Sequence, residues 1–146
     1  MKVLGLHKDP WHNAGAAVIS AGPDGVSFAN LAEERLDREK DSRNFPELAT
    51  AACMAELGVN SIDDIDMVVL DYIQNGTDWR KDHFNTPCGT DNFLAQVPAD
   101  KLHIVNHHDC HAHIAFYSSP FDRAAILVVD GRGSDRETQS LYVGDS

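Results

Sequence analysis

The run HIVNHHDCHAHIAFYSSPFDRAAILVVDGRG, residues 103–133, carries five of the chain's eight histidines and indicates a helix followed by a buried strand. His107 and His111 are four residues apart, so on a helix both rings lie on one face, about 5–6 Å apart, and can reach one ion. The apolar run 124–129 predicts a strand, and Asp130 stands at its tip. The three side chains therefore form a candidate metal site where the helix meets the strand.

Upstream of this run, the sequence predicts an antiparallel start. Residues 2–7 read as a short buried strand, and 15–19 and 26–31 read as two more. The segment Gly-Pro-Asp-Gly at 22–25 has the residues of a tight turn, so the second and third strands form a hairpin.

The remaining pattern alternates helices with strands. Helical periodicity begins at Pro46, which suits the first turn of a helix, and ends at Gly58, a typical residue just past a helix end. Residues 73–98 have no clear period and are interpreted as a long loop. Further strands are predicted at 67–70, 102–105, 124–130 and 138–143. This order predicts an α/β fold with a mixed sheet that starts with a hairpin and has flanking helices.

The composition limits the classes of partner. At 146 residues, with 42% hydrophobic and 24% charged residues, the chain fits one globular domain. The formal net charge of −11 argues against nucleic acid and anionic membranes as partners, because both are polyanions. Three scattered cysteines without a CxxC pair, and the lack of a long apolar run, predict a reduced, cytoplasmic protein.

Two levels of resemblance follow from the order of these features. A hairpin with a small-residue turn, helical crossovers and a second hairpin with Asp-Gly-Arg-Gly resemble the ribonuclease-H-like half-domain of the actin, sugar-kinase and chaperone ATPase superfamily. Six motifs narrow this likeness: HNAGAA at 12–17, EERL at 33–36, FP at 45–46, NHHDCHA at 106–112, FYSSPF at 116–121 and DGRG at 130–133. In this order they resemble the amino-terminal part of the O-carbamoyltransferases of nodulation-factor and antibiotic biosynthesis, relatives of the tRNA threonylcarbamoyl-adenosine transferases.

That resemblance implies a two-part, ATP-dependent enzyme. Such an enzyme makes carbamoyl-adenylate from carbamoyl phosphate and ATP, then moves the carbamoyl group to a hydroxyl of a sugar or natural product. The resemblance also implies that His107, His111 and Asp130 hold a divalent metal, typically iron, with zinc or magnesium as alternatives.

The resemblance implies further roles around this metal. Gly131 and Gly133 are expected to lie against the phosphates of ATP or carbamoyl-adenylate, since glycine lets backbone N–H groups approach closely. His12 is the candidate catalytic residue, which takes the proton of the acceptor hydroxyl. Residues 1–130 are expected to form the first ribonuclease-H-like lobe and 131–146 the truncated start of the second. The 146 residues alone are therefore expected to be inactive.

Two other functions compete with this one. Departures from the family pattern at Asn13, Gly15 and Ser42 favour a non-catalytic binding or regulatory module. A small metal-dependent hydrolase is the other alternative. It needs a carboxylate base near the metal, for which Asp109 is adjacent in sequence.

Two further segments have a plainer interpretation. The charge run Glu33-Glu34-Arg35 is interpreted as the solvated start of a helix. The strand within 138–146 leaves an exposed edge, which offers a route to a homodimer.

Overall fold

The computed structural model describes residues 1–8, 13–71 and 97–146. In chain order its elements are β1 (Lys2–His7), β2 (Gly15–Gly22), β3 (Gly25–Ala32), α1 (Glu34–Asp37), α2 (Glu47–Glu56), a 3-10 turn (Ile62–Asp64), β4 (Met67–Asp71), β5 (Leu102–Val105), α3 (His107–Tyr117), β6 (Arg123–Val129) and β7 (Gln139–Asp145). The predicted order of strands and helices is confirmed. The loop predicted at 73–98 lies outside the described residues, except for its last two positions.

Five strands form one mixed sheet in the order β3-β2-β1-β4-β5. Strands β1, β2 and β3 are antiparallel neighbours, and the turn between β2 and β3 closes at Gly25, whose φ of 118° favours glycine. Strand β4 pairs in parallel with both β1 and β5. The carboxyl ends of these three strands therefore lie at one edge of the sheet.

One face of this sheet forms the core. Side chains alternate along a strand, so every second residue of β1, β2 and β4 points to the same face. The buried residues of that face are Leu4, Leu6, Ala16, Val18, Val68 and Leu70. Helix α2 packs over the β2–β3 side of this face with Ala49 and Cys53, which belong to the same core. Each Leu or Val fully buried in this layer contributes about 1.5–3 kcal/mol.

Glu33 is buried rather than solvated. Only 2% of its surface is exposed, and its carboxylate accepts hydrogen bonds from the backbone N–H groups of Leu48 at 3.1 Å and Ala49 at 2.7 Å. These donors lie in the first turn of α2, where no intrahelical acceptor exists and the helix dipole favours an anion. The interpretation of the charge run as a solvated helix start is therefore wrong for Glu33, which ties the end of β3 to α2.

Helix α3 packs against a separate two-stranded sheet of β6 and β7. Phe116 lies over Gly144, where a Cβ would come within 2.4 Å of the phenyl ring. His108 is fully buried, and its Nδ1 is 2.7 Å from Oγ of Ser140. These contacts fix the histidine-bearing helix against the hairpin.

The opposite face of the β6–β7 sheet is apolar and exposed. Four of its side chains are 66–74% exposed: Leu127, Val129, Leu141 and Val143. Within the described residues these two strands pair only with each other.

The predicted boundary between lobes at residue 130, just after β6, stays a prediction. In the described ranges, no helix has both the length and the apolarity needed to cross a membrane.

Replacing Glu33 with alanine is expected to destabilise the fold. The substitution leaves two N–H groups of α2 without acceptors, a loss of about 1–3 kcal/mol, and urea unfolding followed by circular dichroism measures it. Glu56→Ala, at the exposed carboxyl end of the same helix, is the control and is expected to change stability by less than about 0.5 kcal/mol. Equal effects of the two substitutions would contradict the capping role.

Candidate metal centre

Three chain segments end at the same edge of the five-stranded sheet. His7 closes β1 and Asp71 closes β4, and the two are direct partners in the parallel register. Strand β5 ends one residue before Asn106, whose side chain caps α3 by accepting a hydrogen bond from the N–H of His108 at 2.7 Å. His107, the first residue of α3, therefore lies beside the ends of β1 and β4.

The three ligands predicted from the sequence converge on one point. Nε2 of His107 is 2.9 Å from Oδ2 of Asp130 and 3.1 Å from Nε2 of His111, and the latter two atoms are 3.6 Å apart. The histidines are one turn of α3 apart, and Asp130 directly follows β6. We refer to His107, His111 and Asp130 as the metal triad. Its role as a ligand set stays a prediction.

The geometry of the metal triad fits a divalent cation. Donor atoms about 2.1 Å from a shared ion are about 3.0 Å apart in an octahedral site and about 3.4 Å apart in a tetrahedral one. The three separations in the triad, 2.9, 3.1 and 3.6 Å, cover this range. Two imidazole nitrogens and a carboxylate oxygen suit Fe(II) or Zn(II) better than Mg(II), which prefers oxygen donors.

Asp130 is held in its charged form. The N–H of Gly131 donates to Oδ1 of Asp130 at 2.7 Å. This bond lowers the pKa of Asp130 most, and the hydrogen bond and charge of His107 and the charge of His111 lower it further. Together they outweigh burial, so the pKa of Asp130 lies below its ordinary value. An ionised carboxylate is the form that binds a metal.

Two residues that the motifs do not flag, His7 and Asp71, adjoin the metal triad. Oδ2 of Asp71 is 2.9 Å from Nδ1 of His7, and both carboxylate oxygens are 3.1 Å from Nδ1 of His107. Burial opposes the charge on Asp71, but the hydrogen bonds and charges of His7 and His107 prevail and lower its pKa. A signal did exist in the sequence, because each residue is the polar end of an apolar strand, and parallel strands place such ends together.

The remaining predicted site residues are placed as follows. His12 lies outside the described residues. Gly131 and Gly133 lie in the turn after β6, where the N–H of Gly131 donates to the Asp130 side chain and that of Gly133 to the carbonyl of Glu137 at 2.7 Å. Contact of these glycines with a nucleotide stays a prediction.

The other polar residues of α3 have different surroundings. His108 is buried against β7, and exposed His113 has its Nδ1 2.8 Å from the carbonyl oxygen of Asp109. Burial, and then the charges of Asp71 and Asp109, raises the pKa of the Cys110 thiol to about 12. This thiol therefore stays protonated at neutral pH, and among the described residues it belongs to neither group of potential metal ligands.

A cleft of about 420 Å³ opens beside His7 and Asp71, on the sheet face opposite the core. Its floor consists of small or short side chains: Gly5, Gly15, Ala17 and Val69. Space for a ligand therefore adjoins the residues that contact His107.

Known proteins include sequence relatives of this chain, among them the following two. The chain is 31% identical to nodulation protein NolNO of Sinorhizobium fredii over 145 aligned residues, which cover 89% of this chain and 21% of that protein. It is 28% identical to the uncharacterized protein sll1178 of Synechocystis over 164 aligned residues, which cover 92% of this chain and 26% of that protein. The chain thus spans about a quarter or less of the length of these relatives. No protein-family model matches it.

The fold is similar to that of a solved structure. The whole chain aligns with 46% of the activator of 2-hydroxyisocaproyl-CoA dehydratase from Clostridium difficile, solved with bound ADPNP, at a TM-score of 0.50 and 17% identity. At this identity the likeness shows the fold alone. It confirms the predicted α/β fold, with a mixed sheet that starts with a hairpin and has flanking helices.

Alanine at Gly133 is expected to destabilise the turn that follows β6. A Cβ there would lie 2.2 Å from Oε1 of Glu137 and 2.8 Å from Cδ2 of buried His108, and Glu137 Oε1 already accepts a hydrogen bond from Asn106. We expect a loss of about 1–3 kcal/mol, measured by urea unfolding. Gly131→Ala, with nothing within 4 Å of its Cβ, is the matched control and should cost less than about 0.5 kcal/mol. Indistinguishable variants would contradict the packing role of Gly133.

Proposed function

We propose that this carbamoyltransferase-like chain is the amino-terminal lobe of an O-carbamoyltransferase that moves a carbamoyl group from carbamoyl-adenylate to a hydroxyl of a sugar or natural product. The match to nodulation protein NolNO confirms the resemblance predicted from the motifs and supports a carbamoyltransferase-like role. The observation that carries the finer proposal is the convergence of three metal-binding side chains, His107, His111 and Asp130.

Carbamoyl transfer needs stabilisation of charge and a proton acceptor. When the acceptor hydroxyl attacks the carbamoyl carbon, negative charge develops on the carbonyl oxygen, and AMP leaves. A divalent metal held by the metal triad would act as a Lewis acid towards the carbonyl or the phosphate. Within the chain, the role of the triad is to present two imidazole nitrogens and one carboxylate oxygen to a single point.

The nucleotide half of the proposal is supported by the fold and by the turn after β6. The solved structure of similar fold holds ADPNP, and Gly131 and Gly133 occupy a turn next to the metal triad. Both N–H groups have intramolecular acceptors. We therefore propose that phosphate binding at this turn exchanges these hydrogen bonds for new ones.

A metal-dependent hydrolase fits the site less well. The carboxylate base it requires is expected to be Asp109, but Asp109 faces Tyr142 of β7 across a shared pocket. Burial, and then the interaction with Asp109, raises the pKa of Tyr142. Among the described residues Asp109 belongs to neither group of potential ligands. The other alternative, a non-catalytic module, is compatible with a domain that binds metal but is inert, so it is separated from the hydrolase by the absence of hydrolysis and not by metal binding alone.

Metal binding is the first test of the proposal. We expect the chain to bind one Fe(II) or Zn(II) per molecule in anaerobic isothermal titration, with elemental analysis as a second measure. His107→Ala, His111→Ala and Asp130→Ala should each abolish this binding, because each removes one of three donors. Removal of the metal with a chelator should reverse the binding without unfolding the chain, since α2 and its core lie apart from the triad.

The control for this test is His113→Ala. It removes a histidine from the same helix, but one that is exposed and outside the donor groups of the described residues. Its metal affinity should equal that of the unsubstituted chain. If the chain binds no metal, either a further aspartate that the resemblance implies from the second lobe is required or the site is vestigial, and titration of a protein extended past residue 146 separates the two. If the extended protein also binds none, or if His107→Ala still binds one equivalent, the metal triad is not the ligand set.

His12 is the proposed proton acceptor, because imidazole can take a proton near neutral pH. This proposal is supported by the motif HNAGAA at 12–17 alone. We expect the 146 residues to be inactive by themselves. In a protein of the relatives' full length that contains them, His12→Ala should abolish carbamoylation of the acceptor, measured by mass spectrometry, and spare adenylate formation, measured by pyrophosphate release. Retained transfer would contradict the role.

A further inference from the structure

The carboxylate of Asp71 lies between two imidazole rings. Its Oδ2 is 2.9 Å from Nδ1 of His7, and both of its oxygens are 3.1 Å from Nδ1 of His107. Only 18% of the Asp71 side chain and 11% of the His107 side chain is exposed. Water therefore competes little for these contacts.

His107 uses its two ring nitrogens on opposite sides. Nδ1 faces Asp71, and Nε2 faces Asp130 and His111. An ionised carboxylate only accepts hydrogen bonds, and His107 has one at each nitrogen, Asp71 at Nδ1 and Asp130 at Nε2, so the two compete for the proton of a neutral ring. The Asp71 side chain is 18% exposed against 35% for Asp130, which also accepts from the N–H of Gly131. We therefore expect the proton on Nδ1 and the lone pair on Nε2, which is the atom that belongs to the metal triad.

The backbone fixes the place of Asp71. It is the last residue of β4, paired in register with His7 at the end of β1, and the two residues therefore lie side by side on one sheet face. The Asp71 carboxylate is supported by two paired strands and is hydrogen-bonded to His7. It therefore has little freedom to move away from His107.

We propose that Asp71 is the positioning residue of the metal centre. It accepts the Nδ1–H of His107 and so directs the Nε2 lone pair towards the point shared with His111 and Asp130. His7 holds the other side of the carboxylate. The inference deepens the proposed function and rests on its metal triad. Carboxylates that hold a metal-binding histidine in this way typically contribute about 10- to 100-fold in metal affinity.

A second ion between His7, Asp71 and His107 is the competing interpretation. The ligand atoms of this group also lie within 4.8 Å of one another. If both groups held an ion at once, both nitrogens of His107 would be metal-bound, and the ring would have to lose both of its protons. One ion with Asp71 as hydrogen-bond acceptor avoids that cost, so we expect one equivalent of metal.

The first experiment needs neither metal nor substitution. It records long-range ¹H–¹⁵N correlation spectra of the metal-free chain. The pH is set high enough that the histidine signals no longer change with pH. The spectra then report which nitrogen of each ring carries the proton. We expect His107 to be protonated at Nδ1. In Asp71→Asn, whose amide can no longer present a charged acceptor, the Nε2–H form should increase. A ring of His107 protonated mainly at Nε2 in the unsubstituted chain would overturn the inference.

The second experiment measures Zn(II) affinity. Asp71→Asn should bind one ion about 10- to 100-fold more weakly, whereas His107→Ala should not bind. Asp122→Asn removes the same charge at the far end of β6, roughly 25 Å from Asp130, and should keep the original affinity. Equal affinity of Asp71→Asn and the unsubstituted chain, or two ions per chain with one lost on Asp71→Asn, would overturn the positioning role.

The two experiments separate this inference from the proposed function. If neither the chain nor the protein extended past residue 146 binds metal but His107 is protonated at Nδ1 through Asp71, the proposed metal centre fails and the hydrogen bond stands. If metal binds to the triad while the proton of metal-free His107 is on Nε2, the metal centre stands and the positioning role fails.

Discussion

The parallel pairing of β1 with β4 governs the geometry of the whole site. Leu70, next to Asp71, is completely buried in the core, so β4 cannot slip by one residue without turning a carboxylate into the core. The same constraint holds for Leu6 and His7 in β1. Burial of apolar residues on one face of the sheet thus determines which polar side chains lie on the other face. His107 contacts His7 and Asp71 on that face.

The local parts of this structure were predictable from the sequence, and the long-range parts were not. Helix α3, strand β6 and the closeness of His107 to His111 follow from spacings of a few residues and from apolar periodicity. Asp130 is 23 residues from His107, and its place in the triad is predicted from the tip of its strand and the order of the motifs. The contact of Asp71 with His107 depends instead on which strands are neighbours in the sheet. The apolar periodicity of the sequence does not indicate that order. Glu33 was misread for a similar reason, because its partners in α2 are 15 and 16 residues away.

Two glycines of one motif also show where pattern and packing differ. The order of the motifs assigns Gly131 and Gly133 the same role, close approach to phosphate. In the fold, Gly131 has open space where a side chain would be, whereas Gly133 is packed against Glu137 and His108. The packing of Gly133 against Glu137 and His108 therefore explains why this position needs glycine. This explanation does not depend on which ligand the turn binds.

The exposed strip of Leu127, Val129, Leu141 and Val143 on the β6–β7 sheet has a consequence for behaviour in solution. The chain carries a formal charge of −11, so at low ionic strength molecules repel one another before their strips can touch. At 0.1 M salt this repulsion is screened beyond about 10 Å, while attraction between apolar surfaces is undiminished. If two copies meet through this strip, added salt therefore strengthens their association, the reverse of its effect on an interface built from ion pairs.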